Sequence, residues 1–124
     1  MNFALSDEQV FLQEAARQAL SRVRTVEAAR AALEGAPLPD LWPTAARAGW
    51  SGLLIDERHD GAGLGALEAM LVAAECGRVL AGVPLLGHLP ATALLDGDGG
   101  DGALLAALAA GEALAAFAPL RPGD

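Results

Sequence analysis

The sequence predicts an all-α fold, an orthogonal bundle of about five helices with room for a short C-terminal strand. Three observations point there. Hydrophobic residues make up 53% of the 124 residues, yet aromatics are only 4%. Alanine and leucine dominate, and both lose little side-chain entropy in a helix. The β-branched and aromatic residues that suit a pleated sheet are scarce. Apolar residues also recur at helical spacing between clusters of glycine and proline. The length suits one domain.

The first helix has a defined start. Ser6 is an N-cap, and Gln9 three residues later completes a capping-box pattern. Asp7 and Glu8 follow, where the helix dipole favours negative charge. Phe11, Ala15 and Ala19, with Leu12, Ala16, Leu20 and Val23 beside them, form one apolar stripe. This helix is expected to run to about Leu33 and stop by Gly35, ahead of Pro37 and Pro39. A second, short helix starts with Asp40 as its cap, takes Pro43 in its first turn and ends at Gly49. Trp42 and Trp50 bracket it as core anchors. An apolar stretch, Ser51 to Ile55, leads into a charged turn and then the glycines 61, 63 and 65. The third helix is expected over Ala66 to Leu80, with Leu67, Met70, Leu71 and Ala74 facing the core and Gly82 and Pro84 ending it. The fourth runs from Leu85 to Leu95, kinked at Pro90, and a glycine-rich loop follows from Asp96 to Gly102. The fifth covers Ala103 to Ala110 and closes at Gly111. The apolar piece from Ala113 to Leu120 is compatible with a strand.

The net charge is −8, and every basic residue is arginine. Such a chain repels phosphate backbones, so neither nucleic acid nor an anionic membrane surface is an expected partner. Cys76 is the single cysteine and is expected to be a buried, inert thiol. No basic-then-apolar leader opens the chain. The uncharged run from Val79 to Leu95 is short of a membrane span and is broken by Gly82, Pro84, Gly87 and Pro90. These features make a cytoplasmic protein the default expectation.

Several motifs invite a chemical reading and fail its geometric requirements. Gly61 to Ala66 matches G-x-G-x-x-A ahead of a helix. A dinucleotide fingerprint needs those glycines directly after a buried strand, and five mostly charged residues intervene after Ile55. A turn allowing close packing explains the glycines instead. Asp96, Asp98 and Asp101 resemble a calcium loop, but its positions 5 and 12 are Gly100 and Ala107. His59 and His88 have no second ligand at metal spacing, so no metal site is expected. Glu75 and Arg78 are three apart on one helix, the spacing of a surface ion pair. No Ser/His/Asp or Cys/His set is visible, and no catalytic residue is assigned.

The order of segments resembles the N-terminal domain of acyl-CoA dehydrogenases. Phe3-Ala4-Leu5-Ser6-Asp7-Glu8-Gln9 looks like that family's start. Ala48-Gly49-Trp50-Ser51-Gly52-Leu53 resembles its turn after the second helix. Glu57 to Leu64 is similar to its glycine-rich segment, with Asp56 in place of a proline and Asp60 in place of a glycine. Glu75-Cys76-Gly77-Arg78, Gly87-His88-Leu89-Pro90 and the run from Gly111 to Phe117 fall at matching places. The shared order and spacing carry the resemblance.

The resemblance implies a helical domain over 1–111, with 112–124 beginning a middle β-domain. It implies FAD as the cofactor of a complete enzyme, none for this chain alone. An acyl-CoA thioester would be dehydrogenated to an enoyl-CoA, with the base in a later helical bundle. It also implies a homo- or hetero-oligomer. Val79, Gly82 and Leu86 match positions lining the acyl pocket. Pro119 and Leu120 match flavin-contacting positions, although Leu120 lacks the hydroxyl of the family's threonine. The alternative from another class is a free-standing helical interaction module without catalysis.

Overall fold

The computed structural model describes residues 3–121 and 123. These residues form six α-helices and two short 3-10 turns, with no strand among them. The helices are α1 (Asp7–Ser21), α2 (Thr25–Leu33), α3 (Trp42–Arg47), α4 (Ala66–Arg78), α5 (Leu85–Gly97) and α6 (Gly102–Ala110).

The capping box of α1 forms as its sequence requires. Ser6 Oγ accepts from the Gln9 amide at 3.1 Å, and Gln9 Oε1 accepts from the Ser6 amide at 2.9 Å. The expected single helix to Leu33 is instead two. Arg24 leaves the helical region at φ −80° and ψ 72°. The cause is tertiary: Thr25 is buried, and its hydroxyl donates to the carbonyl of Val79 at the end of α4. Asp40 caps the start of α3, accepting from the Trp42 amide at 3.0 Å. Gly49 ends that helix in the left-handed region, at φ 83°.

α1 and α4 lie side by side and run in the same direction, since Gln9 meets Glu68 and Arg17 meets Glu75. The core between them and α5 contains Ala16, Leu20, Trp50, Leu53, Val72 and Leu89. Phe11 and Ala15, expected on the inner stripe of α1, are exposed. The expected inner face of α4 is also displaced. Ala69, Val72, Glu75 and Cys76 are buried, whereas Leu67, Met70 and Ala74 are exposed and Leu71 is half-buried. α4 is apolar almost all round, so small residues could turn inward and let α1 approach.

The glycine-rich turn lies against the segment before it. The amides of Ala62 and Leu64 donate to the carbonyls of Gly52 and Leu53, and that of Gly63 to Ile55. α6 packs on this turn through Leu105, Leu108 and Ala109 around Ile55. α4 ends at Arg78, and the left-handed residue after it is Leu80, at φ 55°, so Gly82 does not terminate the helix. α5 extends through Asp96 and Gly97, the expected start of the loop. Asp96 accepts from the Asp56 amide and Asp101 caps α6, so both carboxylates serve backbone donors.

The segment after Gly111 is no strand, correcting that expectation. A strand needs a paired edge, and this segment has its partners elsewhere. Its Ala113 and Ala115 pack on the α6 core, and Ala116 lies against Gly87 of α5. Pro122 and Asp124, within the span 112–124 expected to begin a β-domain, lie outside the described residues.

Candidate functional site

Two places in the fold collect chemistry-bearing side chains. The first is the α1–α4 seam. Glu75 is only 4% exposed, so its carboxylate requires partners. Arg17 Nε donates to Glu75 Oε2 at 3.0 Å, and Arg78 Nε donates to the same oxygen at 3.2 Å. These two hydrogen bonds hold the Glu75 pKa below the usual carboxylate range against the opposing effect of burial. The sequence showed only the Glu75–Arg78 half of this arrangement. Arg17 lies far away in the chain, and only the packing of α1 on α4 brings it in. An expected surface pair is thus a buried carboxylate clasped by two half-exposed arginines.

Two shallow grooves open beside this seam and meet at Val23. One, of about 420 Å³ between α1 and α3, has Leu12, Ala19 and the buried Trp50 in its wall, with Arg22 and Arg47 exposed at its edge. The other, of about 350 Å³, is lined by Arg17, Arg24, Arg78, Glu27 and Glu75, with Val79 at one end.

The second place is His88, fully buried in α5. Its Nε2 is 2.8 Å from the Ser51 carbonyl, so that nitrogen carries the hydrogen. Its Nδ1 then accepts from the Ala115 amide at 3.1 Å. The Trp42 ring meets the imidazole edge-on at 4.8 Å, and Trp42 Nε1 donates to the Gly111 carbonyl at 2.9 Å. Burial lowers the His88 pKa and keeps the ring neutral. The ring is a structural clamp on the segment after α6. Its position in the uncharged run from Val79 to Leu95 was the one sequence signal of burial.

The expected pocket positions lie along one connection. Val79 is half-buried and caps α4, Gly82 is exposed near Leu38, and Leu86 projects from the first turn of α5 at 87% exposure. Pro119 and Leu120 are exposed in the last segment. Cys76 is buried, and burial pushes its thiol up to about 11, leaving it protonated and inert near neutrality. Among the described residues no group of three His, Cys, Asp or Glu could hold a metal, and no helix is long and apolar enough to cross a membrane. The family model described as acyl-CoA dehydrogenase, N-terminal domain, matches residues 6–112. No curated protein and no solved structure matches the chain significantly.

Proposed function

The chain belongs to the acyl-CoA dehydrogenase family through its N-terminal domain, and from that premise we propose that it walls the acyl pocket of a flavin-dependent acyl-CoA dehydrogenase. The family match over 6–112 carries this reading. The uncharged connection from Val79 to Leu95 supports it, because an acyl chain needs a wall without ions. Exposed apolar side chains on two helices, Leu67 and Met70 on α4 and Leu86 and Leu94 on α5, fit surfaces that contact further domains or subunits. In this reading 1–111 is the helical domain and 112–124 leads into a β-domain.

Flavin would supply the hydride acceptor in the complete enzyme, and its binding belongs to other domains. Pro119 has no N–H and Leu120 no hydroxyl, so these two side chains offer flavin no hydrogen bond. The role left for this chain is to bound and orient the acyl tail. The protein as its native gene encodes it should purify with visible flavin absorbance and reduce a dye acceptor when given acyl-CoA. The 124-residue chain alone should do neither. A colourless native product, inert on acyl-CoA, would favour the interaction module.

Gly82 provides a finer test. A Cβ there meets only Leu38 Cδ1, at 4.0 Å, so a larger side chain has space in this fold. In the complete enzyme, Gly82→Leu should lower kcat/KM for long acyl-CoAs and spare short ones. Each methylene excluded is worth roughly 1–3 kcal/mol of discrimination. Melting temperature should stay near that of the parent. Equal loss on every chain length would remove Gly82 from the pocket.

A further inference from the structure

The chain carries sixteen carboxylates against eight arginines, yet its charges are not evenly spread. Five of the arginines, Arg17, Arg22, Arg24, Arg47 and Arg78, line the two grooves that meet at Val23. In the second groove Arg17, Arg24 and Arg78 stand with Glu27 and Glu75, a net +1, with Glu14 also acting on Arg17. The first groove adds Arg22 and Arg47, which brings the lining of the two together to +3. The rest of the chain has three arginines and fourteen carboxylates, or −11. A cationic face on an acidic protein concentrates anions against the overall field.

We propose that the groove lined by Arg17, Arg24 and Arg78 is a binding site for a small phosphate-class oxyanion. A guanidinium has five N–H donors in a planar fork. Glu75 takes only the Nε donor of Arg17 and of Arg78. Their terminal nitrogens make no hydrogen bond to another described residue and remain available. Because both arginines are tied to one buried oxygen, their heads are held close together at little further entropy cost. Arg24 adds a third guanidinium from the bend between α1 and α2. Three arginines lining one groove suit a tetrahedral dianion better than a single carboxylate. The groove shares Val79 with the positions matched to the acyl pocket but is lined by neither Gly82 nor Leu86.

The test titrates the 124-residue chain with inorganic phosphate, at mildly alkaline pH and constant ionic strength, with chloride as the reference anion. Nitrogen-15 NMR of the arginine side chains is the readout. Resonances of Arg17, Arg24 and Arg78 should shift saturably with phosphate and not with chloride. Arg24→Gln, which leaves the Glu75 clasp intact, should weaken phosphate binding about tenfold or more, since each charge-assisted hydrogen bond is worth roughly 1.5 kcal/mol or more. Arg30→Gln, outside the groove, should bind as the parent does. Equal shifts in chloride, or undiminished binding by Arg24→Gln, would overturn the proposal. So would a glutamate-rich peptide binding the same arginines more tightly than phosphate, because the face would then serve an acidic protein segment.

Discussion

Gly61→Ala is expected to cost about 3 kcal/mol or more, at the upper end for overpacking. A Cβ at Gly61 would lie 2.0 Å from the Ile55 carbonyl oxygen and 2.6 Å from Ile55 Cβ. Neither atom can swing aside. The carbonyl already accepts from the Gly63 amide, and Ile55 is fully buried against α6. Relief therefore means moving the glycine-rich turn off the segment beneath it, together with α6. A domain of this size has roughly 5–15 kcal/mol of total stability. At roughly 4 °C per kcal/mol, a melting point lower by about 10 °C or more is expected. Gly77→Ala is the matched control. Gly77 lies in α4 with no atom within 4 Å of an added Cβ, and it should gain up to about 1 kcal/mol from lower unfolded-state entropy. Thermal melts of both variants check the pair. An unchanged melting point for Gly61→Ala would mean that the turn is not packed as described. The glycines then have no structural explanation.

The His88 clamp should make the segment after α6 the first part to loosen in acid. The ring is neutral, with Nδ1 accepting from the Ala115 amide. A proton on Nδ1 would face that N–H donor and break the bond. The Ser51 and Leu108 backbone groups favour the cation, but burial outweighs them, and Trp42, Ser51, Leu108 and Ala115 carry no countercharge. The folded pKa lies below the ordinary value of 6.5 because of burial. The stability linked to His88 is therefore complete above about 6.5 and is lost as pH falls below it through the folded value. Glu75 and Glu68 are shifted below 4.5, so their contributions begin to be lost only below about 4.5, after the His88 contribution has begun to fall. His88→Leu should cost about 3 kcal/mol at neutral pH, because the Ser51 carbonyl and the Ala115 amide each lose their partner. It should also flatten the pH dependence between neutrality and the carboxylate range. Denaturant melts across pH, with amide exchange at Ala115, provide the measurement. A His88 ring titrating like free histidine would contradict the clamp, as would parallel pH curves for parent and variant.

By itself the sequence determined the helical class, most helix ends and the glycine-rich turn. Ser6 with Gln9, Asp40, Gly49 and Gly111 act on backbone groups within a few residues, so their chemistry is legible locally. The order of motifs also carried the family resemblance, which the match over 6–112 bears out. Only the tertiary structure decided which faces turned inward. α4 is apolar on nearly every side, so periodicity could not choose between Leu67 with Met70 and Ala69 with Val72. The close approach of α1 selected the small residues, and the same packing brought Arg17 to Glu75. The bend at Arg24 likewise has no local glycine or proline signal and depends on the Thr25 bond to Val79. The final segment is apolar enough for a strand, but a strand exists only through a paired edge, and His88 with the α6 core took hold of it instead. Caps and turns are written in neighbouring residues. Burial, ion clasps and strand pairing depend on residues distant in the chain, so they are settled only when the helices meet.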